Sequence, residues 1–267
     1  MENEINWFKA FQKSLLENSQ LVFSKKVNVS VVNEGLAVND ILDIHQVLKI
    51  DDNAAIMAFI DNRTAFYQSL SENTIACLSI YFPMSREKFK LNCSIHSISG
   101  NGKSILELIN KNQFDSYLKK NFKYNNAILK DNENDNNFVS RGYEYYNKIN
   151  SQLTEFKNEK ILDEYWNKLN NEEKLEYDTV HPDTIKVEEQ LTDVDKFESQ
   201  EEVFHSKNFS ILFFIPYDIE HTIYPMPQVV ANTRKPHFES LYKPHKKIRK
   251  YIFIFNFIKW TFKELNA

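Results

Sequence analysis

The sequence predicts a mainly β protein with peripheral helices, an α+β chain built around an antiparallel barrel or sandwich. Three observations support this. The first hundred residues hold a series of short apolar or period-two segments joined by short turns. In that stretch strand candidates follow strand candidates rather than alternating with helices, which argues against a doubly wound parallel sheet. With 4 glycines in 267 residues, the chain has little material for several glycine-rich phosphate loops.

Trp7, Phe11 and Leu15 recur every four residues, with Phe8 beside them, and mark one face of an amphipathic helix. Val27-Asn28-Val29-Ser30-Val31 alternates as a half-buried strand does. Asn33-Glu34-Gly35 supplies a turn, and Ile41 to Val47 and Ala54 to Ile60 are the next strands. A short helix begins near Arg63 and ends in the polar stretch Ser69 to Asn73. Ile75 to Phe82 is an apolar strand closed by Pro83, and Phe89 to Ile98 is another. Ser104 to Lys120 has a helical apolar period, and the Asn- and Asp-rich run Lys123 to Asn137 reads as a loop or insertion. Arg141 to Tyr177 is charged and helical in character. Within it Asn170 and Glu173 fit a capping box, in which each side chain satisfies an orphan backbone N–H at a helix start. Val187 to Glu202 is acidic and solvated. Asn208 to Ile215 reads as a strand stopped by Pro216, and Tyr251 to Ile258 as the last strand, with Trp260 near the end. One domain, 1–267, is expected: an N-terminal barrel half 1–99, a helical and Asn-rich insertion 100–140, and helices with the C-terminal half 141–267. The barrel strands fall within 26–99 and 206–259.

The charge balance excludes some functions. Thirty-three basic and 37 acidic residues give a net charge of −4, which argues against a nucleic-acid binder. The basic run Lys243 to Lys250 then reads as a solvated loop. Cys77 and Cys93 read as free buried thiols, and the acidic opening Met1-Glu2-Asn3-Glu4 is unlike a signal peptide. A membrane-spanning helix needs about 20 apolar residues. The best run, Tyr251 to Ile258, is too short and contains Asn256, so a soluble cytoplasmic protein is expected. The seven histidines are scattered, so no metal site is expected, and no Gly-x-Ser-x-Gly elbow is present. Ser97 to Ser104 matches a phosphate-cradling loop except at its first position, where Ser97 replaces glycine. The strand-after-strand order before it favours a plain turn and helix start.

Several segments, in order, resemble the pyridoxamine 5'-phosphate oxidase-like, FMN-binding split-barrel family. The first is the helix with Trp7 and Phe11, then the Val-rich strand and the turn at Gly35. Phe59-Ile60-Asp61-Asn62-Arg63-Thr64 resembles the family's Phe-x-Thr-Asp-x-Arg-Ser. Tyr81-Phe82-Pro83-Met84-Ser85-Arg86-Glu87-Lys88-Phe89-Lys90 resembles Tyr-Phe-Pro-x-Thr-Arg-Glu-Gln-Phe-Arg. Trp166 to Lys174 is similar to the Trp-x-x-Leu-Ser helix start, and Asn208 to Ile223 to the late strand and its turn. Trp260 to Ala267 is similar to the family's end, with Ala267 in place of its final Pro.

The resemblance implies a six-stranded antiparallel split barrel that forms a homodimer, with FMN in a groove between subunits and the Ile75 to Phe82 strand near the interface. It implies Asp61, Arg63, Thr64, Lys88 and Lys90 as cofactor-binding residues. The flavin does the redox chemistry in such proteins, so no catalytic acid or base is nominated. The departures concern the phosphate, a dianion that needs cations and N–H donors. Asp40 stands where the family has a phosphate-binding Arg, His45-Gln46 replaces an Arg-Gly pair, and Phe66 replaces a Lys. Two functions therefore stay open. One is an FMN-binding protein with a weakened phosphate site, acting as an oxidoreductase on a small molecule. The other is a flavin-free, non-catalytic dimeric module that binds a ligand or partner.

Overall fold

The computed structural model describes residues 6–33, 36–50, 53–70, 75–99, 140–142, 144–145, 147–148, 151, 159–178, 206–225, 228–229, 242–243, 248–255 and 260–265. The expected helix at 104–120, the Asn-rich run, the acidic stretch 187–202 and the middle of the basic run, 244–247, lie outside these residues.

Helix α1 (Trp7–Glu17) starts where Asn6 accepts hydrogen bonds from the N–H groups of Phe8 and Lys9, satisfying two orphan donors. Its apolar stripe buries Trp7 and Phe11. The strands follow: β1 (Lys26–Asn33), β2 (Leu36–Ile50), β3 (Asn53–Asp61), β4 (Ile75–Phe82) and β5 (Glu87–Ser99). Helix α2 (Ala65–Ser69) lies between β3 and β4. After β5 come helices α3 (Glu159–Lys168) and α4 (Asn171–Asp178), then β6 (Phe209–Ile223). The two-residue strands β7 (Gln228–Val229) and β8 (Tyr242–Lys243) pair with each other. The last strands are β9 (Arg249–Phe255) and β10 (Trp260–Leu265).

Six strands close a ring in the order β6-β3-β2-β1-β4-β5, with β5 returning to β6, and all these pairings are antiparallel. Inward side chains alternate as the period-two pattern requires: Val27, Val29 and Val31 from β1, Leu78, Ile80 and Phe82 from β4, and Phe89 and Leu91 from β5. Helix α1 packs on this core, with Phe11 edge-on to Phe82 and Phe89. Burying one such aromatic side chain contributes roughly 1.5–3 kcal/mol.

A second apolar layer lies on the outside of the ring. Leu162, Trp166 and Leu169 cover Ala55 and Met57 of β3 and Phe209, Ile211, Phe213 and Ile215 of β6. Both faces of β3 and of the first half of β6 are thus buried, which is why these two segments are almost continuously apolar.

Pro216 does not stop β6 as the sequence suggested. It sits at a bulge, where β5 steps from Asn92–Asp218 to Cys93–Pro216 pairing and leaves Tyr217 as the extra residue. Here the opposite edge of β6 changes partner, from β3 (to Phe214) to β9 (from Asp218). Asn53, at the start of β3, donates from Nδ2 to the Pro216 carbonyl at 2.8 Å and satisfies it at this fork. Two further differences are that β2 runs well beyond Ile41 to Val47 at both ends, and that Trp260 opens a paired strand. Both cysteines are free thiols, Cys93 buried and Cys77 half-buried. Among the described residues no helix is long and apolar enough to cross a membrane.

Candidate functional site

The stretch from Asp61 to Thr64 leaves β3 and enters α2 through a fixed set of hydrogen bonds. The Asp61 carbonyl accepts from Thr64 N at 3.2 Å and Thr64 Oγ1 at 2.9 Å. Thr64 in turn caps α2, accepting from Tyr67 N at 3.2 Å. Asn62 donates to the carbonyl of Lys207 at 2.8 Å and to Ser99 Oγ at 3.1 Å. The Asp61 carboxylate accepts from Arg63 N at 2.8 Å, from Arg63 Nε at 3.0 and 3.1 Å, and from Arg63 Nη2 at 2.5 Å. This bond raises the already high pKa of Arg63 further, so the guanidinium stays charged and neutralises Asp61.

A cleft of about 350 Å³ opens beside this stretch, between the outer face of β2 and β3 and the α3–α4 connection. Asp40, Asp43, Asp61, Glu173 and Glu176 contribute carboxylates, and no Lys or Arg is among its lining residues. His45 is the extra residue of a bulge in β2, where the register against β3 shifts between Ile44 and Gln46. It stacks on Phe59 with ring centroids 4.0 Å apart. Burial, then Lys25 and Lys168, lower its pKa, so His45 is neutral at pH 7 and adds no cation. Burial raises the pKa of Tyr177, which stays a phenol.

Helices α3 and α4 are held over the cleft by side chains of both layers. Tyr165 Oη donates to Gln46 Oε1 at 2.9 Å, and Asn208 Nδ2 to the Tyr177 carbonyl at 2.8 Å. The rings of Trp166, Tyr177 and Phe209 pack mutually. The capping box is present: Asn170 N bonds Glu173 Oε2 at 2.8 Å, and Glu173 N bonds Asn170 Oδ1 at 2.9 Å.

Asp61, Arg63 and Thr64 are thus brought together, with Asp40 at the same cleft. Lys88 and Lys90 are not. They are exposed on β5, opposite Tyr81 and Ser79 of β4 and Thr222 and Glu220 of β6. Asp61 pairs with Phe209 at the far end of β6, so roughly 40 Å of strand separates the two groups within one chain. Phe66 points into the core and is 3% exposed. Asp43 and Glu176 had no signal in the sequence, because each joins the cleft only through strand pairing or helix docking. The resemblance placed His45 near the phosphate without its bulge, and Glu173 read only as a capping residue.

The Tyr81 to Lys90 motif has a structural use. It forms the β4–β5 hairpin, whose Met84 N donates to Asn18 Oδ1 at 2.8 Å, just past α1. Its Arg86 holds a left-handed backbone, with φ of 56°. Nearby, Ser14 Oγ donates to Glu87 Oε2 at 2.5 Å, and His221 Nε2 lies 3.3 Å from the same oxygen. The carboxylate, not the imidazole, sits between the other two, so His221 is not placed to activate Ser14 as a nucleophile. Among the described residues no group of His, Cys, Asp and Glu could hold a metal ion.

The FMN phosphate can be tested against these groups. At the position the resemblance gives it, the lining holds five carboxylates, a neutral imidazole and the Thr64 hydroxyl but no Lys or Arg. The adjacent Arg63 and Lys26 are bonded to the lining carboxylates of Asp61 and Asp43. A phosphate dianion does not fit that donor set.

No protein-family model and no curated protein matches the sequence. Solved structures do. A pyridoxamine 5'-phosphate oxidase-related, FMN-binding protein from Nostoc punctiforme is 15% identical, with a TM-score of 0.57 over 98% of this chain and 97% of that one. PhzG from Burkholderia lata, solved with tetrahydrophenazine-1-carboxylic acid, is 8% identical, with a TM-score of 0.44 over 100% and 95%. A Clostridium acetobutylicum protein of the pyridoxinephosphate oxidase family, related to general stress protein 26, is 10% identical, with a TM-score of 0.34 over 79% and 88%. Of these three, the Nostoc protein defines a shared architecture: the chain has the split-barrel fold of a pyridoxamine 5'-phosphate oxidase-related, FMN-binding protein.

Proposed function

We propose that the chain is a flavin-free split-barrel module that binds a small molecule and has given up FMN-dependent oxidoreductase chemistry. One observation carries this reading: the cleft at the expected phosphate position is lined by carboxylates without a Lys or Arg. The fold alone is compatible with either function. A homodimer and a cytoplasmic location belong to the same proposal. The split-barrel fold shared with the Nostoc protein supports the dimer. Two free thiols support a reducing compartment.

The test is reconstitution. The protein is incubated with excess FMN, desalted, and its visible spectrum recorded, with its mass in solution measured by light scattering. The proposal expects a colourless dimer. A yellow protein with stoichiometric flavin would restore the oxidoreductase reading, and a monomer would remove the dimer from it.

A further inference from the structure

The cleft disagrees with the cofactor of its fold in a specific way, and the disagreement indicates what the cleft selects. We infer that it takes a small, positively charged aromatic molecule that carries no phosphate. This rests on reading the cleft as the ligand site.

The walls are not carboxylates alone, although Asp43, Glu173 and Glu176 are exposed. Leu169 and the aromatic rings of Phe59 and Tyr177 line the cleft, and the His45 ring lies against Phe59. An apolar and aromatic lining with a few convergent polar groups is the usual make-up of a small-molecule site, and about 350 Å³ is at the small end of the range. The volume suits a single ring with a short side chain. Aromatic faces attract an ammonium group, and so do carboxylates at the rim. The same carboxylates repel a phosphate. Two of the five carboxylates are already paired, Asp61 with Arg63 and Asp43 with Lys26, and Lys168 is paired with Glu164. This leaves Asp40, Glu173 and Glu176 to face a cation, with Lys25 near His45.

Tyramine, its O-phosphate and 4-ethylphenol test this directly, because they share one ring and differ in the amine or the phosphate. Binding to the intact protein is measured by calorimetry, alongside riboflavin and FMN. Tyramine is expected to bind at least tenfold more tightly than its O-phosphate and several-fold more tightly than 4-ethylphenol. Both preferences should collapse in D40K and in E176K. Asp40 is half-exposed and Glu176 exposed, so the fold should tolerate each change, and circular dichroism checks this. Equal binding of tyramine and 4-ethylphenol would overturn the selection for charge. Equal or tighter binding of the O-phosphate would overturn the selection against phosphate. If none of the three binds, the inference fails. Tight FMN would then return the cleft to flavin, and no binding of any probe would show that the cleft is not a ligand site.

Discussion

The guanidinium of Arg63 is turned onto the carboxylate of Asp61, with Nη2 2.5 Å from Oδ2 and Nε bonded to both oxygens. Two residues apart in sequence, they form an ion pair that is mostly buried, at 19% and 9% exposure. The resemblance assigned both to the cofactor. In the fold they bond each other. Removing Asp61 should therefore do two things: destabilise the protein by about 1–3 kcal/mol, and release a cation at the edge of the cleft. Urea denaturation of D61N measures the first, and a stability equal to wild type would show that the pair contributes nothing.

Asn53 is the second residue whose loss should be felt far from its place in sequence. Its Nδ2 serves the Pro216 carbonyl where β6 leaves β3 for β9. N53A leaves that buried acceptor without its donor and should cost roughly 1–3 kcal/mol. N53D, of nearly the same shape, should cost at least as much, because a carboxylate cannot donate to a carbonyl. Equal stability of N53D and wild type by denaturant titration would contradict this reading of the fork.

His96 gives the protein a pH dependence. It is 1% exposed, and burial lowers its pKa from 6.5 to about 3. Between those values the unfolded chain binds the proton and the folded one does not, so stability falls as pH drops from 6.5 toward 3. At pH 5 the loss is about 2 kcal/mol, from about 1.4 kcal/mol per pH unit. H96F should flatten the melting temperature between pH 6.5 and 5, and an unchanged slope would exclude His96 as its source.

Glu87 acts in a lower window. Burial opposes its ionisation, but the bonds from His221 and Ser14 outweigh burial and hold its pKa below the ordinary 4.5. The stabilisation is complete above 4.5 and is lost as pH falls through the lowered folded value. Because Ser14 lies on α1, acid should loosen the helix from the ring first. E87Q should show a shallower loss of stability below pH 4.5 than wild type, and hydrogen exchange of the α1 amides reports where the loosening begins. Matching acid profiles would sink the idea.

Much of the ring was legible because its strands obey local rules. Val27 to Val31 alternates, Ile75 to Phe82 ends at a proline, and Asn170 with Glu173 makes the reciprocal cap their spacing predicted. The failures share a cause. Pro216 reads as a stop because it lacks an N–H, yet a bulge and Asn53, far away in sequence, let the strand continue. Phe66 occupies the position of a family Lys, but its burial in the core was not visible from spacing. The cleft was half legible. Asp40, Asp61 and Thr64 came from motif order, whereas Glu173, Glu176 and Tyr177 arrive on a helix whose docking depends on Trp166 and Leu169 meeting Phe209 and Ile211.

An FMN titration of wild type against a charge-restored variant, D40R with D61N, followed by calorimetry, asks whether the cleft has turned against its fold's cofactor. The double change places an Arg where the resemblance expects one and frees Arg63 from its carboxylate. Each charge-assisted phosphate contact is worth roughly 1.5–3 kcal/mol, so two should tighten FMN by about two to four powers of ten. The expected result is weak or undetectable binding by wild type and clear micromolar or tighter binding by the variant. Nanomolar binding by wild type, or equally weak binding by both, would contradict it.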